Sequence, residues 1–260
     1  FIFDGRPHEL KMETLAGRRL RKDNANAKWE AAIEAEDMAL AKKLGPQTAE
    51  YTREMVAQTK RLFDCLGLVW IEAPMEAEGA GAVRCANGEV AAVASQDWDT
   101  LLYGSPVMIR NLTSHGRRKF GRMVVAEKIV LAELLENHNI TREQLVDLAI
   151  MIGTDFHPGI RGIGPKTGLK LIREHGTMEA VAEVKDFEMP EDIETIRGLF
   201  HNHPIHPEPL PESTKAVEER LREFLQGEFG FSERRLERAL KRLANANHLK
   251  SDSQPTLFDF

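Results

Sequence analysis

The sequence predicts an α/β protein: a mainly parallel sheet flanked by helices, followed by an all-helical region. Three observations carry that expectation. Short apolar runs rich in β-branched residues and bounded by Gly or Pro recur at LVWIEAP (68–74), VAAVASQ (90–96) and VMIRNL (107–112), as buried strands do. Helical segments separate them, and strands alternating with helices build βαβ units. From Ala126 the chain turns to helix after helix, in AEKIVLAELLENH, TREQLVDLAIMIG and PKTGLKLIREHG.

Taken in order, the chain opens on FIFDG, the end of an apolar strand followed by Asp4. The segment from about His8 to Leu66 is charged, rich in alanine and nearly free of glycine. It reads as two or more helices broken at Leu44-Gly45-Pro46, glycine ending one and proline starting the next. Met75 to Cys85 is a run of small residues and reads as helix. Thr141 begins TREQ with Gln144 three residues on, the spacing of a capping box. Val184 to Ser213 holds Pro190, Pro204, Pro207, Pro209 and Pro211 and reads as an irregular connection. Helices resume at Thr214 and end near Leu249. The closing SDSQPTLFDF is a polar spacer followed by apolar anchors, and no internal repeat is present.

With 260 residues, 42% of them hydrophobic, the chain can bury one large core or two modest ones. No apolar run approaches the ~20 residues that cross a bilayer, and no signal-peptide pattern is present. Two cysteines, Cys65 and Cys85, make no disulfide framework; they read as small core residues in a reducing, intracellular compartment. The net charge of −6 argues mildly against a nucleic-acid partner, but it averages over local stripes. Arg6, Lys11, Arg18, Arg19, Arg21, Lys22 and Lys28 crowd one segment, and Arg110, Arg117, Arg118, Lys119, Arg122 and Lys128 another. Stripes of this kind decide whether phosphates can be gripped, although each alone reads as a solvated face. Trp29, Trp70 and Trp98 read as core or helix-packing residues. His201, His203 and His206 lie in a proline-rich loop without cysteine partners, which favours an exposed loop over a zinc site.

The acids are the informative feature. Asp97 and Asp99 follow the strand at 90–96; in an extended chain residues i and i+2 share a side, so both carboxylates face one spot while Trp98 turns inward. Glu76 and Glu78 repeat the arrangement beyond the preceding strand, Asp4 follows another strand end, and Asp155 lies at a helix end beside a glycine-rich loop. The carboxyl ends of parallel strands are where open α/β sheets place ligands. Six converging carboxylates would repel strongly unless hard divalent cations, which prefer oxygen donors, sat among them. Two such ions activate water and stabilise the leaving oxygen of a phosphodiester. Each acid alone reads as a cap or surface group, and a lone DxD also serves some sugar-nucleotide transferases; the coincidence of three strand ends moves the balance.

GIRGIGPKTGLKLI (159–172) places backbone N–H groups and a helix start where an anion can sit, with Lys166 and Lys170 close by. The spacing is not that of a P-loop. A helix-hairpin-helix gripping one DNA strand through its phosphates fits better than a plain helix–helix turn.

With these residues in hand, the chain resembles the flap endonuclease family of structure-specific 5′ nucleases, over nearly its whole length. FDGRPHELK is similar to the family's FDG-x-P-x-x-x-K stretch, APMEAEGA to its AP-x-E-A/G-E segment, SQDWDTLLYG to its SQD-x-D-x-L motif, and GTDFHPGIRGIGPKTG to its GTD-x-x-P-G-x-x-GIG-x-K-x-A signature. The resemblance implies a PIN-like nuclease domain over 1–140, with a helical arch at about 8–66. It also implies a helix-hairpin-helix DNA-binding region over 141–249 and a sliding-clamp-binding tail over 250–260. Asp4, Glu76, Glu78, Asp97, Asp99 and Asp155 would then be ligands of two Mg²⁺ ions, with Mn²⁺ as a substitute. Lys11 and Arg18 would be catalytic cations at the scissile phosphate. Gly162, Ile163, Gly164, Lys166 and Lys170 would bind DNA, with K⁺ on backbone carbonyls, and Gln254, Leu257 and Phe260 would engage the clamp. The function implied is Mg²⁺-dependent 5′ flap endonuclease and 5′–3′ exonuclease cleavage of DNA in replication and repair, by a monomer inside the cell (the nucleoid, if archaeal). Family members carry a further segment before FDG, so the sequence reads as a fragment. The competing expectations are a non-catalytic DNA- and clamp-binding remnant and a related 5′ exonuclease of the same superfamily.

Overall fold

The structure, a computed structural model, describes residues 1–114, 117–119 and 122–249. The tail residues Gln254, Leu257 and Phe260 lie outside the described residues. The elements in chain order are β1 (Ile2–Phe3), α1 (Met12–Glu34), α2 (Met38–Thr48), α3 (Arg53–Leu66), β2 (Ile71–Glu72), α4 (Ala77–Ala86), β3 (Val93–Ala94), α5 (Asp99–Leu102) and β4 (Val107–Arg110). Then come β5 (Arg117–Lys119), β6 (Arg122–Val124), β7 (Glu127–Val130), α6 (Leu131–His138), α7 (Arg142–Ile152), α8 (Pro165–His175), α9 (Met178–Lys185), α10 (Ile193–His201), α11 (Glu218–Arg222) and α12 (Glu233–Asn245). A six-residue π-helical stretch, Glu223–Glu228, continues α11. Among the described residues no helix is long and apolar enough to cross a membrane.

The described residues divide into two compact units, one within 2–47 and 72–207, the other of residue 1, 48–71 and 208–249. In the larger unit β3 and β4 are parallel, and β7 adds antiparallel to β4 with Met108 opposite Ile129. The backbone after β2 runs alongside β1 in the same direction: Ala73 N donates to Phe3 O (2.8 Å) and Gly5 N to Met75 O (2.6 Å). The sheets are therefore small and mixed, where the sequence predicted a mainly parallel one. β7 takes the Glu127–Val130 stretch assigned to helix, because its Ile129 and Val130 pair with the apolar Met108 and Val107. The core of this unit gathers around α7 and α8, with Val146, Ile150, Met151, Ile172, Val181 and Phe200 withdrawn from solvent.

Several helix boundaries differ from expectation. Gly45 and Pro46 lie inside α2, in its final turn; proline there offers no N–H to the carbonyl four residues back, and the helix stops two residues later, at Thr48. The expected break falls just beyond them, between α2 and α3; an additional one comes earlier, at Glu36 (φ 57°), after which the Asp37 carboxylate accepts from Leu40 N (3.0 Å) and caps α2. The proline-bearing stretch contains α10, whose Ile196 and Phe200 are buried; its prolines flank that helix rather than enter it. The capping box is present as predicted, Thr141 and Gln144 exchanging side-chain and backbone bonds.

In the smaller unit Ala216, Leu221, Leu236 and Leu240 form a core against Leu62, Cys65 and Leu66 of α3. Its helical stretch begins at Glu218 rather than Thr214. Cys85 is buried and Cys65 half-buried, both free thiols.

Candidate functional site

The site grows from chain ends that the fold brings together in the larger unit. Asp4 follows β1, and its carboxylate accepts from Ala77 N (2.8 Å), the first helical residue of α4. A carboxylate at a helix start meets unpaired N–H groups and the positive end of the dipole. Glu76 is the residue before α4 and Glu78 sits in its first turn. Carboxylate oxygens of Asp4, Glu76 and Glu78 all lie within 4.8 Å of one another. Oxygen donors at that spacing suit a hard divalent cation.

Asp97 and Asp99 reach the same face by a route different from the one predicted. The chain does not stay extended: Trp98 is helical (φ −68°, ψ −19°) and α5 begins at Asp99. Asp97 N donates to Ser95 Oγ (3.0 Å), and Asp99 N donates to Asp97 Oδ1 (3.1 Å). The two acids are thus joined by a side-chain turn. Trp98, expected in the core, is 49% exposed and lies under the Arg110 guanidinium, 4.2 Å from its ring centroid. The turn that gathers the acids throws the indole outward.

Asp155 follows α7 and enters the site through cations. Lys11 Nζ pairs with Glu76 Oε2 and, at 3.2 Å, with Asp155 Oδ2; Arg18 Nη2 reaches Asp155 Oδ1 at 2.5 Å. Lys11 ends a 3-10 turn and Arg18 lies on α1, so this helix delivers both cations to the acidic face. Burial alone would lower the Lys11 pKa, but its bonds to Glu76 and Asp155 outweigh that and raise it.

The remaining acids carry the cost of crowding. Burial, then the charges of Asp97, Asp155 and Glu78, push Asp99 up to about 7. Burial also raises Glu78, with Asp4 and Asp97 adding repulsion, while the Ser95 hydroxyl donates to Glu78 Oε1 (3.3 Å). These couplings tie Asp97, Asp99 and Asp155 to the tight group of Asp4, Glu76 and Glu78. The described acids thus form one oxygen-lined, under-neutralised cluster, and that fits divalent cations.

Three residues here escaped the sequence reading. Ser95 had a legible signal, Ser-x-Asp spacing in SQD. Tyr103 is buried beside the acids, and burial followed by the charge of Glu76 pushes its hydroxyl well above the usual range. His203 is buried, not part of an exposed loop: its Nε2 donates to Glu76 O at 3.1 Å and its ring meets Tyr103 edge-on at 4.8 Å. Because the carbonyl can only accept, Nε2 carries the proton. A contact across 127 residues of sequence leaves no local trace. Among the described residues His201, His203 and His206 form no metal-binding group.

The glycine-rich loop joins α7 to α8. Gly162 is left-handed (φ 88°), Gly164 precedes α8 and Pro165 opens it. Ile163 anchors the loop in the core, while Lys166 and Lys170 are exposed one turn apart.

A small mixed α/β fold with clustered carboxylates at its element ends, and two cations reaching them, is an arrangement that could hold a divalent metal ion, as metal-assisted nucleases do. Comparison with known proteins agrees. The XPG I-region matches residues 67–155, a span holding Glu76, Glu78, Asp97, Asp99 and Asp155. Flap endonuclease 1 of Staphylothermus marinus is 39% identical over 260 residues, 96% of this chain and 74% of that protein. The Methanoculleus marisnigri protein of the same name is 40% identical over 94% of this chain and 73% of its own length. The solved flap endonuclease-1 from Methanococcus jannaschii superposes with a TM-score of 0.69 at 34% identity, covering 95% of this chain and 75% of that one. The catalytic core of Rad2 in complex with DNA substrate, 18% identical with a TM-score of 0.70 over 94% of this chain and 77% of that one, shares the fold. The chain belongs to the flap endonuclease family. This family consists of nucleases that hydrolyse DNA phosphodiester bonds.

Proposed function

We propose that this chain is a structure-specific 5′ flap endonuclease with 5′–3′ exonuclease capacity, acting on DNA in replication and repair. The observation that carries the reading is the carboxylate group of Asp4, Glu76 and Glu78 within 4.8 Å, faced by Lys11 and Arg18 through Asp155. Asp4, Glu76, Glu78, Asp97, Asp99 and Asp155 would hold two Mg²⁺ ions, or Mn²⁺ in their place. When bound, such ions supply Lewis-acid activation of water and charge neutralisation at the leaving oxygen.

The chain's own residues do the rest. Lys11 and Arg18 neutralise Glu76 and Asp155 and stand ready for the non-bridging oxygens of a phosphodiester, where cations stabilise developing charge. Helix α1 would form part of an arch that orders a single-stranded 5′ flap. Gly162, Ile163 and Gly164 would bring backbone amides to a duplex strand, with K⁺ a candidate for the loop carbonyls. Lys166 and Lys170 would track its phosphates. Contacts of that kind position DNA without reading its sequence. A tail that engages a sliding clamp would keep the enzyme at the replication fork.

The test is cleavage of end-labelled 5′-flap DNA with Mg²⁺. Asp97 is exposed, and Asp97→Asn keeps an Oδ1 that can accept from Asp99 N, so it should leave folding and DNA binding nearly unchanged while cleavage falls by at least ~10³-fold, about 4 kcal/mol in the barrier. Undiminished cleavage by that variant would overturn the metal-site assignment. Equal cleavage of flap and blunt duplex would favour a general 5′ exonuclease.

A further inference from the structure

The exposed indole between two metal-site acids has no role in that chemistry. Trp98 is flanked in sequence by Asp97 and Asp99 and is 49% exposed. Large aromatic residues are highly buried on average, so an exposed one beside a reaction centre is informative. A second, independent feature sits on it. The Arg110 guanidinium lies 4.2 Å from the ring centroid, and its Nη2 donates to Gln96 O at 3.4 Å. Arg110 Nε is buried with no hydrogen-bond partner among the described residues, and Arg110 forms no ion pair there. An arginine at the end of β4 thus spends its charge on an aromatic face and on a carbonyl, beside carboxylates it does not neutralise.

We propose that Trp98, held by Arg110, is a stacking platform for a nucleobase of the substrate strand next to the scissile phosphate. The proposal rests on the nuclease reading above and names what that site grips besides phosphate. With one ring face covered by the guanidinium, the indole is fixed in place while half of the residue still meets solvent. A base laid on the open part would complete a guanidinium–indole–base stack. Stacking of bases on aromatic side chains is tolerant of sequence, as suits an enzyme that reads DNA shape. The cation beneath strengthens the arrangement and offsets the repulsion between substrate phosphates and Asp97 and Asp99. The plain alternative is that the Arg110–Trp98 stack only staples the turn that gathers the acids.

The two are separated by asking whether the effect depends on a base. Wild type, Trp98→Ala and Trp98→Tyr are compared in single-turnover cleavage of flap DNA. The substrate carries, one position at a time, an abasic site at each nucleotide flanking the scissile phosphate. On intact DNA, Trp98→Ala should lower kcat/KM by roughly 10-fold, within the range of one base–aromatic stack. Trp98→Tyr should recover most of it. At one abasic position wild type should fall to the level of Trp98→Ala, and the variant should lose nothing more. A Trp98→Ala loss of equal size on intact and abasic DNA at every position, or no loss on intact DNA, would overturn the proposal and leave the nuclease reading standing. Wild type that cleaves no flap substrate would overturn both.

Discussion

Gly79→Ala tests the packing that holds the acidic face. Gly79 lies in α4, between the acid positions and the helix body. In an ordinary helix interior this change stabilises by about 1 kcal/mol, because glycine is the more costly residue there. Here the added Cβ would lie 2.5, 2.5 and 2.6 Å from His203 Cδ2, Cγ and Cε1. The imidazole cannot swing aside freely, since it is 5% exposed, meets Tyr103 at 4.8 Å and donates to Glu76 O at 3.1 Å. Overpacking a filled site costs about 1–3 kcal/mol, and loss of the Nε2 bond adds about 1. Set against the helix gain, the net is a destabilisation of about 1–3 kcal/mol. Urea unfolding of four proteins measures it: wild type, Gly79→Ala, His203→Ala and the double variant. In the His203→Ala background the ring is gone, so Gly79→Ala should reverse sign and stabilise by about 1 kcal/mol. The single variant should also bind Mn²⁺ more weakly, because Glu76 and Glu78 hang from the turn that must shift. Stabilisation by Gly79→Ala in both backgrounds would refute the close approach and its link to the site.

Two further outcomes follow from charge. Asp99, raised to about 7, starts from about 3.9 in the unfolded chain. A carboxyl whose folded pKa is raised contributes stability that is full below about pH 4 and lost as pH rises through about 7. The gap of about three pH units, at 1.36 kcal/mol each, is about 4 kcal/mol as an upper bound. Melting of metal-free wild type and Asp99→Asn from pH 4 to pH 8 should therefore show the variant gaining on wild type as pH rises; parallel curves would sink the assignment. Away from the site, Arg197 donates to both oxygens of the buried Asp147 (2.8 and 2.9 Å) and pairs with Glu179 and Glu194. Arg197→Met strands that carboxylate and should cost about 3 kcal/mol or more, read from urea midpoints, whereas a loss under about 0.5 kcal/mol would show that water replaces the guanidinium.

The six acids were legible because each sits at an element end, where local sequence marks both the element and its boundary. Thr141 and Gln144 were legible for the same reason, their bond lying within one turn. What was not legible depends on contacts distant in sequence or on a change of period. Strand alternation predicts an extended Trp98, but β3 ends at Ala94, and the bonds of Ser95 and Asp97 convert the next residues to a turn. Gly45-Pro46 announces the break between α2 and α3, but the earlier one, at a left-handed Glu36 with Asp37 capping the next helix, is hidden in a charged run. His203 reads as part of an exposed loop because nothing near it in the sequence announces Glu76.

The same acids pose a stability problem whose solutions point to a ligand. Six carboxylates share the face and two cations reach them, so each acid is accommodated by a separate device. Asp4 caps α4; Glu76 and Asp155 share Lys11, and Arg18 adds to Asp155. Glu78 takes a hydroxyl from Ser95, Asp97 stays in solvent, and Asp99 holds its proton to about pH 7. A cluster serving structure alone would be matched by cations, as Asp147 is by Arg197. Here the matching stops short on the side where Glu78, Asp97 and Asp99 face one another, and the fold spends stability to keep that side open. Strongly perturbed acids in such a setting are the physical mark of a working site. A divalent cation is the kind of ligand that would supply the missing charge on that side.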